Sequence, residues 1–431
     1  MTNQEKKPTI WTISFWYPPE FSGRGIHSRL ESVEFTKLGF PVNVLCAGVN
    51  AARIYRGKLI NDGGAMVRYL PILSVQLRPF LLRSRFSGKI VSILTNLSWL
   101  SFSMLCAWIL LSNAKGNDIV KLESCERYTI ILIAVAGLKK LHTISRMSLL
   151  GSDDPFSVLN MARHGQLLEY LTLYTYRTSE VVVAICSAMV GSCRQAKIAE
   201  QKVMYIPHGT DTELYQPADA VGKARIYQRL SLDPQKRYLL FVGAAIERKG
   251  IDILTDAFIN LQKKYQDVEL LIVGPDQFGN RSHIPGAAIL DKVVENCKGK
   301  FAAEQCSHAV HWIGKVDNVS DYLKVADIFC LPTRQEGFGL VIIEAMASGL
   351  PVVVSRLDGV TTDIVSEGTG IIIPGFHASD YADAFMELLA NPEMAKQMGM
   401  AARKRVISEF SIKTISIKWQ TLFQTLSRGN V

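Results

Sequence analysis

The sequence has no low-complexity tract, no repeat at a fixed period and no CxxC pair. Without the first two, a chain that is 48% hydrophobic and 20% charged reads as globular, with disorder confined to its first few residues. Its eight cysteines are scattered, several of them inside apolar runs where a reduced thiol acts as a small hydrophobe, which suits a reducing cytosol. A secretory leader is not expected: MTNQEKKP runs straight into the strand-like TIWTISFW, which Pro18 and Pro19 end too soon for one. The expectation is a cytoplasmic protein. No recognised nucleic-acid-binding motif is present, so nucleic acid is not expected as a partner.

At 431 residues the chain exceeds the size at which one core keeps growing, so two domains of roughly 200 residues and a cleft between them are expected. The net charge of +9 is uneven. Residues 51 to 90 hold Arg53, Arg56, Lys58, Arg68, Arg78, Arg83, Arg85 and Lys89 against Asp62 alone, a solvated face or one that meets an anionic membrane or ligand. Ile90 to Leu111 then runs 22 residues without a charge. A buried or half-buried crossover helix and a helix resting in the membrane interface both fit. A single span would put the two halves of the chain on opposite sides of a bilayer and so prevent a shared site.

Short apolar strands alternate with helical stretches in both halves, the signature of parallel doubly wound sheets. The strands expected are TIWTISFW, PVNVLCA, DIVKLE, LHTIS, VVVAIC and VMYIP in the first half, and RYLLFVG, VELLIVG, AVHWIG, IFCLP, PVVVS and GIIIP in the second. IPHGTDTELYQP, residues 206–217, marks the join by its Pro207, Gly209 and Pro217. The expected fold class is therefore α/β, two Rossmann-like domains facing across a cleft, over residues 1–205 and 206–410. Residues 411–431 are expected to pack back on the first.

Open α/β sheets bind ligands outside the carboxyl ends of their strands. FSGRGIHS puts Gly23, Arg24 and Gly25 just before a helix whose amides suit an anion. It lacks the third glycine of a dinucleotide fingerprint, which argues against nicotinamide. FVGAAIERKGID sets Gly243 at a strand end and Arg248 and Lys249 at the start of a helix. Two cations there oppose the helix dipole but make a diphosphate clamp. EGFGLVIIEAMASG holds Glu336 in a loop and Glu344 one turn inside an apolar helix. Gly337 and Gly339 allow close approach, the amides of Gly337, Phe338, Gly339 and Leu340 suit a phosphate or sugar oxygen, and the two carboxylates suit paired hydroxyls.

Together these stretches resemble the retaining GT-B glycosyltransferases of family 4, over nearly the whole chain and most closely in the second half. EGFGLVIIEAMASGLPVVVS is similar to that family's E-x7-E element, which implies that Glu336 lies at the donor hexose and Glu344 at the ribose. WIGKVDNVSDYLKVADIFCLPT resembles its base-binding region, with the backbone at Lys315 and Val316 holding the nucleobase, and IPHGTDTELYQP resembles its interdomain segment. The resemblance implies a retaining, metal-independent hexosyltransferase that takes a nucleoside-diphosphate sugar and a glycan or lipid-linked acceptor, with no cofactor and with Glu336 and Lys249, which keeps the family's lysine position, at the reaction centre; that Arg248 joins them is our own reading of its place beside Lys249. Ala244 stands where the family commonly has arginine. The family's histidine near the fourth strand is missing, and Ser145 and Arg146 lie in that region.

His27, Arg146, Asp153 and Asp154 are the acceptor candidates, although the two aspartates of GSDDP also suit a turn before Pro155. Cys306, His308 and His311 have the side chains of metal ligands, but their span turns into a strand, where alternate side chains face opposite ways, and no metal is expected. A non-catalytic binding subunit and a nucleotide-sugar epimerase on the same fold are the rival readings.

Overall fold

The computed structural model describes residues 7–19, 23–47, 58–71, 88–277 and 287–429, with backbone alone at 88–95 and 287–289. They fall into two compact units, one running to His208 and resuming at Ile412, the other Gly209–Ser411.

Unit 1 contains β1 (Ile10–Ser14), α1 (Gly23–Lys37), β2 (Val42–Ala47), β3 (Leu59–Asp62), β4 (Ala65–Leu70), α2 (Gly88–Asn113), β5 (Ile119–Leu122), α3 (Ile130–Lys139) and β6 (His142–Arg146). It continues through α4 (Pro155–Arg163), α5 (Glu169–Thr178), β7 (Val181–Ala184), α6 (Ser187–Gln195) and β8 (Val203–Tyr205). Its sheet has the order β3-β4-β2-β1-β5-β6-β7-β8, parallel except for β3. The hairpin of β3 and β4 is not among the expected strands. The turn signal, Asp62-Gly63-Gly64, is present, but both strands are short and carry polar residues.

Unit 2 contains α7 (Ala220–Leu230), β9 (Arg237–Val242), α8 (Ile251–Gln262), β10 (Val268–Val273), α9 (Ala287–Ala303), β11 (Val310–Gly314), α10 (Val319–Val325) and β12 (Ile328–Leu331). Then come α11 (Leu340–Ala347), β13 (Val352–Ser355), α12 (Thr361–Ile364), β14 (Ile371–Ile373), α13 (Ala378–Ala390) and α14 (Pro392–Arg405). Its parallel sheet has the order β11-β10-β9-β12-β13-β14, with the reversal between β9 and β12 where such sheets bind ligands. The last helix, α15 (Ile412–Ser427), belongs to unit 1.

Both sheets are buried on their two faces, which is why their strands read as near-continuous apolar runs. In unit 1, Ile10, Val44, Ile119 and Ile144 share a core with Phe35 of α1 and with Trp419 and Phe423 of α15. The Phe35 and Phe423 rings meet edge to face at 5.0 Å. Truncating a residue so placed, Trp419 for example, costs about 3–5 kcal/mol. The charge-free stretch forms α2, half buried: Phe102, Cys106 and Leu110 point inward at helical spacing, whereas Met104 and Trp108 are exposed. No described helix is long and apolar enough to cross a membrane. Of the basic run, Arg53, Arg56, Arg78, Arg83 and Arg85 and the side chain of Lys89 lie outside the described residues.

Candidate functional site

Unit 2 gathers its chemistry at the carboxyl ends of β9 and β12. Gly243 ends β9, its amide donating to the Val273 carbonyl at 2.9 Å. Arg248 and Lys249 occupy a 3-10 turn, Glu247–Lys249, just ahead of α8. Gly250 joins the two in the left-handed region at φ 77°, and a Cβ there would sit 1.9 Å from the Pro332 carbonyl oxygen, so only glycine fits. That close approach ties the turn to the loop after β12. Arg248 Nη1 donates to the Gln335 carbonyl at 2.7 Å, the Arg334 amide donates to the Arg248 carbonyl at 2.8 Å, and the Arg334 guanidinium forks onto Asp252 at 2.8 and 2.7 Å. Lys249 Nζ pairs with Glu336 Oε1, and that carboxylate is only 7% exposed. Arg248, Lys249 and Glu336 are thus neighbours.

Glu336 leads through Gly337 to Gly339, which starts α11 at φ 100°, with no side chain capping the helix. The Phe338 ring is buried against Phe410 at 5.9 Å, so a ligand would meet this residue through its main chain. Leu340 opens the helix and Glu344 follows one turn later. Burial pushes the Glu344 carboxyl up to about 7, offset in part by a hydrogen bond from the Tyr215 hydroxyl. Tyr215 is held by Arg403, whose Nη1 donates to the Tyr215 carbonyl at 3.0 Å and also to the carbonyl of Ala347. Sequence reasoning missed this tyrosine, although it lies in the quoted IPHGTDTELYQP.

Lys315 lines a cavity of about 420 Å³ with Trp312, Ile313, Gly314 and Pro275, after β11 and β10. Val316, beside it in the chain, is half-buried.

In unit 1 the GRG stretch is not a loop: Gly23, Arg24 and Gly25 form the first turn of α1. A Cβ at Gly25 would come within 3.1 Å of the Trp16 and Tyr17 backbone, so the glycine lets the helix start against the end of β1. Arg24 Nη1 donates to Ser148 Oγ at 2.6 Å and lies 3.9 Å from Asp153. Asp153 accepts from the Leu149 amide at 2.7 Å. Glu126, also missed, faces this group; burial first, and then the Asp153 charge, push its carboxyl up to about 7.

Three acceptor candidates move inward. Asp154 is the N-cap of α4: it accepts from the Ser157 and Gly151 amides at 3.2 and 2.7 Å and from the Ser192 hydroxyl, so its carboxylate is engaged in capping a helix. Arg146 is 1% exposed; its Nη1 meets Glu31 at 2.7 Å and Glu123 at 3.1 Å and its Nη2 meets His208, while its buried Nε has no hydrogen-bond partner. His27 is 2% exposed, with its ring centroid 3.9 Å from that of His208. Lys121 Nζ reaches Glu31 at 2.9 Å and pairs with Glu123, and Trp419 Nε1 donates to Glu31 at 3.1 Å. Burial would raise the Glu31 carboxyl, but Arg146 and then Lys121 outweigh it and hold the group well below the usual range. Arg146 and His27, both expected at an acceptor, are therefore part of a compensated charge network under α1 and α15. Its members are far apart in sequence, and the one local signal is a lysine inside the apolar DIVKLE.

Within it, His27, Glu31 and His208 offer ligand atoms within 4.8 Å of one another, the one such trio among the described residues. Lys121 and Arg146 already neutralise Glu31 and would repel a divalent ion. His311 of the sequence trio is paired with Glu269 at 2.7 Å.

Residues 223–405 match the family model described as glycosyl transferases group 1. Similar curated proteins include the D-inositol 3-phosphate glycosyltransferase of Pseudarthrobacter chlorophenolicus, 29% identical over 228 residues that cover 52% of this chain and 50% of that protein. The lipopolysaccharide core biosynthesis mannosyltransferase LpsB of Rhizobium meliloti is 30% identical over 229 residues, 52% of this chain and 61% of that protein. The chain spans about half the length of the curated relatives it matches. Among solved structures, sucrose-phosphate synthase from Thermosynechococcus elongatus superposes with a TM-score of 0.76 at 19% identity, over 98% of this chain and 100% of that one. Anabaena HepE in complex with UDP and glucose gives 0.71 at 15%, over 96% and 99%. At such identities the likeness is one of fold, and the fold is GT-B.

Proposed function

We propose, from the premise that residues 223–405 belong to the glycosyl transferases group 1 family, that this chain transfers a hexose-type sugar from a nucleoside diphosphate to a glycan or lipid-linked acceptor. The observation that carries the reading is the knot of Arg248, Lys249 and Glu336 at the carboxyl ends of β9 and β12. A departing nucleoside diphosphate gains negative charge while the anomeric carbon becomes oxocarbenium-like. Cations and helix amides fixed beforehand at the diphosphate stabilise that state without reorganising. Two side-chain cations at this place supply the charge that a divalent ion would otherwise bring, so the reaction is metal-independent.

Glu344 takes the ribose hydroxyls, Glu336 the hexose, and the cavity at Lys315 the base. The acceptor hydroxyl attacks on the face from which the phosphate leaves, so configuration is retained and no enzymic nucleophile is needed. Arg24, Asp153 and Glu126 form the polar group that contacts the acceptor. Peripheral contact with an anionic membrane, on its cytoplasmic face, accompanies a lipid-linked acceptor.

The test is release of nucleoside diphosphate from UDP-, GDP- and ADP-sugars by purified protein in chelator. Release that requires acceptor supports transfer. An altered sugar still on its nucleotide would indicate an epimerase, and tight donor binding without turnover across acceptors a non-catalytic subunit.

A further inference from the structure

The outer surface of one helix layer in unit 1 is apolar to an unusual degree. Every crossover from β4 onward steps the same way along the sheet, toward β8, so with right-handed connections α2, α3 and α5 line one face of it. α3 packs between the other two. The inner sides of these helices fill the core, yet their outer sides are not polar. On α2, Leu97, Met104, Trp108 and Leu111 recur at spacings that share one stripe, with Trp108 68% exposed. On α3, Leu138 is 79% exposed. Just before and along α5, Leu167, Leu171 and Tyr174 repeat the pattern, with Leu167 at 69%.

Single exposed apolar residues need no explanation, but stripes on α2 and α5 with Leu138 of α3 between them form a contact surface. Its charge says what it contacts. α2 and α3 contain no acidic residue, and the one glutamate of α5, Glu169, is buried against Arg127. Cations flank the layer: Lys139, which reaches the Leu111 carbonyl at 2.9 Å, with Lys140 and Lys115. Tryptophan and tyrosine, apolar bodies with one polar edge, suit the headgroup level of a bilayer.

We propose that the α2–α3–α5 face is the membrane-docking surface of this protein and that it seats in the interface of an anionic bilayer. The inference rests on the membrane contact proposed above and not on the transfer chemistry. It also moves the seat of that contact. The expected contact lay in residues 78–111, with the cluster of Arg78, Arg83, Arg85 and Lys89 as the main hold and an exposed part of the apolar helix beside it, whereas here the apolar face is the main hold and the lysines aid approach.

The experiment is sedimentation of the full chain with vesicles of phosphatidylcholine alone, or of phosphatidylcholine with phosphatidylglycerol. Wild-type protein is expected to bind the anionic vesicles, with a measurable part of the binding surviving about 0.5 M salt, because apolar insertion is not screened. The triple variant Trp108→Ser, Leu138→Ser, Tyr174→Ser should lose on the order of tenfold in partition at an unchanged melting temperature, because all three side chains are exposed. Arg83→Glu with Arg85→Glu should leave the salt-resistant part in place. The proposal is overturned if the triple variant binds as wild type does, if wild type ignores both vesicles, or if salt abolishes binding entirely. It is equally overturned if light scattering finds a wild-type dimer that the triple variant dissolves, since a second copy would then cover the face. Turnover on a water-soluble acceptor is read in parallel. Its failure alone would sink the transfer reading and leave the docking result standing.

Discussion

Glu344→Gln is expected to make unit 2 more stable at pH 8 and leave it unchanged at pH 5. Burial pushes the Glu344 carboxyl up to about 7, against an ordinary value of 4.5. For an acid whose folded value is raised, the native state holds a proton that the unfolded state has given up. Stability is therefore highest below the unfolded value, falls as pH rises from about 4.5 to about 7, and carries the full penalty above that. At 1.36 kcal/mol per unit the ceiling is about 3 kcal/mol, and the part of Glu344 that still touches solvent brings it nearer about 2 kcal/mol. Glutamine keeps an oxygen for the Tyr215 hydroxyl and removes the ionisation. In a unit of roughly 200 residues that corresponds to a rise of about 4–8 °C at pH 8. Scanning calorimetry of both proteins at both pH values is the assay. The quantity to read is the change in the mutational shift between them, which cancels any packing cost of the amide. Donor affinity should move the opposite way: wild type gains about tenfold from pH 6 to pH 8 as the carboxylate ionises, and the variant stays flat and weak. An equal shift at both pH values, or a variant that melts lower at pH 8, would refute the argument.

Lys249→Met strips the partner from a carboxylate that is 7% exposed, and should cost unit 2 about 1–3 kcal/mol in urea titrations. Adding Glu336→Gln should restore most of that stability and none of the turnover, which falls by about 3–4 kcal/mol of barrier in steady-state kinetics. Glu31→Gln should cost unit 1 about 3–5 kcal/mol by leaving Lys121 and Arg146 under-compensated. Because the Glu31 carboxyl is held low, its contribution is full above about pH 4.5 and is lost only as pH falls through the folded value, so an acid melt of the variant should lack that step. Asp154→Ala should lower stability by about 1–2 kcal/mol and leave the acceptor KM alone; a KM shift without a melting shift would return this aspartate to the acceptor.

What the sequence discloses follows from how local each signal is. RYLLFV, VELLIV and VVVS are legible as strands because a parallel strand buried on both faces needs no alternation. The loop from Glu336 to Glu344 is legible because its glycines, its helix start and both carboxylates sit within nine residues. Tyr215 and Glu344 are 129 positions apart, and nothing at either end announces the other. The same holds for Glu31, Lys121, Arg146 and Trp419, which only the winding of the sheet and the return of α15 bring together. Arg146 and His27 were thus read from their side-chain chemistry as ligand contacts, when their neighbours had already consumed that chemistry.

The two units handle a buried glutamate in opposite ways, and the difference supports the proposed donor site at Glu344. Glu31 has an arginine, a lysine and an indole N–H, so its charge is met from within and it holds α1, β5, β6 and α15 in register. A ligand has nothing to add there. Glu344 has a phenol where Glu31 has two cations, so burial raises its carboxyl with only that hydrogen bond to offset it. Hydroxyls arriving in pairs would offset that burial, and the fold pays this standing cost in stability beside a helix start that follows two glycines and a paired Glu336. A stabilising Glu344→Gln that also abolishes donor affinity would be the signature of that exchange. A glutamine variant that is more stable and equally active would mean that the carboxylate is retained for no reason the donor supplies.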